Sequence, residues 1–211
     1  MRIFERKSFV IPLLGMALFA IPAVEAQFFA KVPTRAYVLN FASNSVTVID
    51  TANNTVVSTI PVGDGPHTIA FTPDGLKVYI VNYYSDNVSV IDTKTNTVVT
   101  TVAVESNPGA IAVTPDGRFA YVANISSGTV SVISTKSSTV IATIAVGVYP
   151  YAVSFTPDGT LAYVVNDVSN TISVISTAKN TVVATVPVGS NPVVEAIVPV
   201  GCLPSFVCTE P

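Results

Sequence analysis

His67 is the only histidine among 211 residues, so a general base, a metal ligand or a Ser-His-Asp set built on imidazole has one place to sit. The chain holds no HExxH, no CxxC and no Gly-x-Ser-x-Gly, the patterns that place a zinc pair, a redox thiol pair or an exposed serine nucleophile. Gly63-Asp64-Gly65 begins like a phosphate-cradling loop, but the sixth position is Thr68 and no helical period follows, which makes it a turn. Cys202 and Cys208 stand close together, and one histidine elsewhere leaves zinc short of ligands. In an oxidising compartment the pair reads as a disulfide closing a small loop, with two free thiols as the alternative. What remains for recognition is a scattered polar and aromatic set, Asp64, His67, Glu105, Asn107, Tyr149, Tyr151 and Asn191, with one carboxylate, Glu195, in an apolar run. Two aromatics beside acceptors and an imidazole suit a glycan, a protein segment or a small polar ligand. Nothing in the set calls for a cofactor.

These residues are positioned by a repeat. Tyr37, Tyr79, Tyr121 and Tyr163 stand 42 residues apart with no insertion between them, in copies running 36–77, 78–119, 120–161 and 162–203. The copies agree at Asn40/Asn82/Asn124/Asn166 and at Pro66/Pro108/Pro150/Pro192. A period near 40 residues is the mark of a repeat architecture. In the second copy the runs 68–72, 77–82, 88–91 and 97–104 are rich in Val, Ile, Tyr and Thr, which fit a packed pleated surface. Asn, Asp, Ser and Pro separate them and favour turns, the clearest being Thr72-Pro73-Asp74-Gly75 and its equivalents 114–117 and 156–159. Each copy therefore predicts four short antiparallel strands. Runs such as Ile80-Val81 are apolar on both faces of the strand, so each sheet must be covered twice. Sheets stacked around an axis achieve this, and the fold predicted is all-β: a β-propeller of four four-stranded blades spanning 27–201 as one domain. A β-solenoid would need shorter coils.

Within such a fold the variable residues fall in the loops leading to the innermost strands, around the channel mouth. Side chains that differ while their flanks repeat are candidates for ligand contact; drift in exposed loops is the plain alternative. Glu195 falls where Ile69, Ile111 and Val153 stand in the earlier copies, a costly place for an unpaired charge. It reads either as a carboxylate aimed at the channel or as a mark of an atypical terminal strand, with Lys31 or Arg35 as a partner.

The first copy begins in mid-blade, without an innermost strand, and the last supplies a spare at 193–198. Pairing of that strand with 36–40 is expected to close a monomeric ring. The stretch 27–35, with Phe29 aligned to Phe71, competes weakly for the same slot. Two chains joining their arcs into eight blades, or a fragment of a longer propeller without activity of its own, are the other outcomes.

Arg2, Arg6 and Lys7, an apolar run over 8–20 and Val24-Glu25-Ala26 give the layout of a signal peptide over residues 1–26, cleaved before Gln27. An uncleaved anchor is disfavoured by Pro12, Pro22 and an apolar core short of the roughly 20 residues a span requires. Export to the periplasm, the cell surface or the medium follows, with no membrane span in the mature chain. Loss of the leader leaves seven basic and eleven acidic residues, a formal charge of −4. Lys77, Lys94, Arg118, Lys136 and Lys179 are spread about one per copy, which excludes the clustered cations of a nucleic-acid binder.

Tyr37-Val38-Leu39-Asn40, Tyr79-Ile80-Val81-Asn82, Tyr121-Val122-Ala123-Asn124 and Tyr163-Val164-Val165-Asn166, with the Val-x-Val-Ile strands and Thr-Pro-Asp-Gly turns beside them, resemble the YVTN-type β-propeller repeat. The resemblance covers 36 to about 201, with an apolar residue at the motif's third position. It implies a secreted, periplasmic or surface-layer propeller, and it transfers no catalytic residue. Some related propellers are lactonases. Two functions are therefore expected in competition: a binding and scaffold module, or a lactonase-like hydrolase using His67 and Glu195.

Overall fold

The computed structural model of the chain describes residues 34–197, which form fifteen strands in four antiparallel sheets. Sheet one holds β1 (Arg35–Asn40), β2 (Ser45–Asp50) and β3 (Thr55–Pro61), with a short 3-10 turn at Phe41–Ser43. Sheet two holds β4 (Pro66–Phe71), β5 (Lys77–Asn82), β6 (Asn87–Asp92) and β7 (Thr97–Ala103). Sheet three holds β8 (Pro108–Val113), β9 (Phe119–Asn124), β10 (Thr129–Ser134) and β11 (Thr139–Ala145). Sheet four holds β12 (Pro150–Phe155), β13 (Leu161–Asn166), β14 (Thr171–Ser176) and β15 (Thr181–Pro187). Every sheet is a meander in chain order, so the four-stranded unit expected from the sequence is complete three times, and among the described residues sheet one has three strands.

The sheets stack face to face and bury three apolar layers. Val46, Val48 and Ile60 meet Val78, Ile80 and Ile91 between sheets one and two. Tyr79, Val81 and Val90 meet Ala120, Val122 and Ile133 in the next layer. Tyr121, Val130 and Ile144 meet Ala162, Val164 and Ile175 in the third. Consecutive residues of one strand thus face different layers, which is why these strands show no alternation of apolar and polar. Each buried Val or Ile contributes about 1.5–3 kcal/mol, so these layers carry the fold.

Polar side chains fix the strands within this frame. Asn82, Asn124 and Asn166 are fully buried at strand ends, and each Nδ2 donates to a serine hydroxyl on the next strand at 2.9 Å: Ser89, Ser131 and Ser173. In the Thr-Pro-Asp-Gly turn the Gly75 N–H donates to Thr72 O at 2.8 Å, while Thr72 Oγ1 and the Leu76 N–H donate to Asp74 Oδ1. Gly75 takes φ of 68°, a left-handed value that favours glycine.

Two bulges recur. One leaves Val57, Val99, Ile141 and Val183 unpaired in the outer strands. The other lies in the inner strands, where Pro66 pairs with Asn82 and Thr68 with Val81, skipping His67; Gly109 and Tyr151 are skipped in the same way.

Among the described residues the expected return of the tail to sheet one is not seen. β1 pairs only with β2, and residues 193–197 make no strand. The tail takes the next step beyond sheet four instead: the Asn191 N–H donates to Asn170 Oδ1 at 2.8 Å, as the Asn107 N–H does to Asp86 Oδ1 and the Gly65 N–H to Asn44 Oδ1. The tail thus repeats the step already taken between the earlier sheets. The leader 1–26, the stretch 27–33, Val198 and the Cys202/Cys208 pair lie outside the described residues.

Candidate functional site

The inner-strand bulge is the local feature that builds a site. A bulged residue leaves the ladder and its side chain is re-aimed, and here the two large bulged side chains are His67 and Tyr151. Both open onto a shallow bowl of about 280 Å³ with Phe41, Tyr83, Tyr84, Ile125 and Tyr149. Phe41, Tyr83 and Ile125 share one position of the repeat, just past the strand-end asparagine. Tyr149 occupies the residue before the repeat proline, where Gly65, Asn107 and Asn191 stand in the other copies.

That position is left-handed in every copy: φ is 66° at Gly65, 52° at Asn107, 63° at Tyr149 and 53° at Asn191. Glycine and asparagine accept such a conformation readily, whereas a tyrosine is strained by roughly 1–2 kcal/mol. In this conformation the Tyr149 ring lies 6.3 Å from Tyr151 and within 10° of parallel to it. Across the bowl, Tyr83 lies 5.8 Å from His67 and meets Tyr84 edge-on at 5.1 Å, and Tyr84 meets Phe41 at 5.8 Å. Phe41, His67, Tyr84, Tyr149 and Tyr151 are all exposed. Burial first, then the phenols of Tyr149, Tyr84 and Tyr151, push the Tyr83 pKa above its ordinary value, which keeps its hydroxyl a donor.

His67 Nδ1 lies 2.9 Å from the Gly109 carbonyl, and a carbonyl only accepts. Nδ1 therefore carries the proton in the neutral ring, and Nε2 is the acceptor. The bowl thus offers aromatic faces, phenolic hydroxyls and one imidazole, with no carboxylate among its lining residues.

Of the residues singled out in the sequence, His67, Tyr149 and Tyr151 come together. Asp64 does not join them, because its carboxylate accepts from Asn44 Nδ2 at 2.7 Å. Asn107 is likewise engaged in the scaffold through Tyr83 O, Ser126 and Asp86, and Asn191 through Asn170 and Asp167. Glu105 is exposed outside the bowl.

Glu195 lies beside Ser154 on β12, and among the described residues neither its two oxygens nor Ser154 Oγ finds a hydrogen-bond partner. Its equivalents Ile69, Ile111 and Val153 pack into the layers between sheets. Glu195 repeats that placement against sheet four, and burial raises its pKa. The expected pairing with Arg35 is not made, since the tail stays with sheet four while Arg35 begins β1. The pairing of His67 with Glu195 in one site is not supported either. His67 opens at the bowl on β4, and Glu195 sits beyond β12, packed toward a sheet face. The sequence missed Phe41, Tyr83 and Tyr84; their signal was an aromatic at the first or second residue past the repeat asparagine. Among the described residues no cluster of His, Cys, Asp and Glu could hold a metal, and no helix is long and apolar enough to cross a membrane.

Meander sheets of this length stacked through both faces define blades of the β-propeller class. The chain belongs to the lactonase, 7-bladed beta-propeller family, whose model matches residues 51–198. No curated protein matches it. The solved structure of Kuenenia stuttgartiensis hydrazine synthase is similar, at 28% identity and a TM-score of 0.69, over 72% of this chain and 45% of that one. The chain therefore spans less than half the length of that protein.

Proposed function

We propose that the chain is an exported binding module that takes a glycan at the aromatic bowl. The observation that carries this is Tyr149, a strained aromatic held parallel to Tyr151 at a position where the repeat otherwise keeps Gly or Asn. Backbone strain persists where the surroundings impose it, and it concentrates at ligand sites. Tyrosine combines an apolar face, which suits the C–H face of a pyranose, with a hydroxyl that reaches sugar oxygens. His67 Nε2 adds an acceptor for a sugar hydroxyl.

The chain has no tryptophan and eight tyrosines, four of which line the bowl, so its tyrosine emission responds to ligand there against a constant contribution from the other four. Titration with a panel of oligosaccharides is expected to give a saturable change, and Tyr149→Ala and Tyr151→Ala each to weaken binding about tenfold. A folded protein that binds none of the panel refutes the reading. Export is tested on chain made with its leader, whose secreted form is expected to begin at Gln27.

A second reading rests on the family match: hydrolysis of a lactone in the same bowl. His67 Nε2 would take a proton from water as the water oxygen attacks the lactone carbonyl carbon. The ring C–O bond then breaks, and the proton passes to the departing alkoxide oxygen. Acid release from five- and six-membered lactones, lost in His67→Ala, separates this reading from binding alone.

A further inference from the structure

The Thr-Pro-Asp-Gly turns lie at the far end of the inner strands from the bowl, and there Arg35, Lys77 and Phe119 share one position of the repeat. Lys77 on β5 bridges from sheet two to sheet three, its Nζ donating to Thr135 O at 2.6 Å. Arg35 holds the same place between sheets one and two, in a groove with Thr93. Between sheets three and four the residue in register is Phe119, whose side chain has nothing to donate.

The acceptor is kept although the donor is gone. Thr93, Thr135 and Thr177 stand in register, and each hydroxyl donates at 2.7 Å to the glycine carbonyl of a Thr-Pro-Asp-Gly turn: Gly75, Gly117 and Gly159. That bond sets Thr177 O in the place of Thr135 O, and among the described residues no group donates to it. Beside it a groove of about 440 Å³ stays open, lined in part by Asp116, Arg118, Phe119 and Asp158. Hydrogen bonds hold both carboxyls below their ordinary range, from Thr114 first at Asp116 and from Thr156 first at Asp158, so both are charged at neutral pH. Arg118 lies 5.4 Å from the centroid of the Phe119 ring. Two carboxylates against one guanidinium leave one negative charge over.

We propose that this groove binds a primary ammonium on a flexible alkyl stem, the chemistry shared by a lysine side chain and a free diamine. The ammonium donates to Thr177 O and balances Asp116 and Asp158, while the stem lies against the Phe119 ring. Lysine is the side chain the fold already accepts in this register one sheet earlier, which favours an ammonium over a metal ion. A metal would also want more ligands, and among the described residues no group of three or more His, Cys, Asp and Glu comes together.

Titration of the full chain with Nα-acetyl-lysine methylamide and with cadaverine, followed by carboxyl NMR, is expected to shift Asp116 and Asp158 saturably with a Kd of about 1 mM. Nα-acetyl-norleucine methylamide, alike in length but uncharged, is expected to shift neither. Tighter binding of the lysine amide would assign the site to a partner protein's side chain, and tighter binding of cadaverine to a free amine. Asp158→Asn keeps an oxygen for the Thr156 and Thr160 donors, so it is expected to retain the wild-type circular dichroism and to bind about fivefold more weakly. Lys77→Ala empties the equivalent groove between sheets two and three and is expected to add a second equivalent of bound amine. No saturable shift with either amine, an equal response to the norleucine amide, undiminished binding in Asp158→Asn, or a folded Lys77→Ala that still binds one equivalent would each overturn the assignment.

Discussion

Tyr121 Oη donates to Asn180 Oδ1 at 2.7 Å, joining residues 59 apart and tying sheet three to sheet four. The ring beneath the hydroxyl is fully buried and meets Phe155 edge-on at 5.1 Å. Tyr121→Phe keeps the ring and removes the tie, so it is expected to lower unfolding stability by about 1 kcal/mol. Urea denaturation should show a lower midpoint at unchanged slope.

Burial pushes the phenols of Tyr79 and Tyr121 up to about 12. The charged form is disfavoured in the folded state, so stability is constant below the unfolded value of about 10 and falls as pH rises above it. Absorbance titration at alkaline pH is expected to show these two ionising after the exposed tyrosines, or abruptly on unfolding.

Asp116 runs the other way. The Thr114 hydroxyl, donating at 2.6 Å, and then the Arg118 N–H hold its carboxyl below the ordinary range. Such a depressed group contributes stability above the unfolded value of about 3.9, and that contribution is lost as pH falls through the folded value. Thr114→Val is expected to move the Asp116 titration upward, read by carboxyl NMR shifts.

Glu195 carries a raised pKa, because burial disfavours its charge more than the nearby Ser154 favours it. Stability is then full below the unfolded value of about 4.3 and declines as pH rises toward the folded value. Glu195→Ile restores the residue type of Ile69 and Ile111. It is expected to raise the thermal midpoint at pH 7 and to remove this decline.

Tyr149→Asn is expected to raise stability by about 1 kcal/mol, since Asn tolerates the left-handed backbone that Asn107 and Asn191 adopt. The same change should weaken ligand binding at the bowl. A variant that is both more stable and weaker in binding would show that the strain serves the site.

Much of this architecture could be read from the chain. The period of Tyr37, Tyr79, Tyr121 and Tyr163 located every sheet, and Thr72-Pro73-Asp74-Gly75 located a turn, because both signals are local and recur. Ring closure was not legible, because it depends on the angle between stacked sheets, which no residue spells out. The site was half legible. Tyr149 and Tyr151 stood out by departing from their copies, but Asp64 and Asn107 departed too and proved to be scaffold, since variation alone does not tell which way a side chain points. The inner bulge that turns His67 outward has no signature beyond the proline before it.

Among the described residues only sheets two and three are sandwiched between neighbours, so these sheets should not melt evenly in a single chain. Heat ought to peel it from both ends, β1 and β15 exchanging their amide hydrogens early while β5, β6, β9 and β10 hold theirs, so that the last thing to come apart is a kernel of two central wedges.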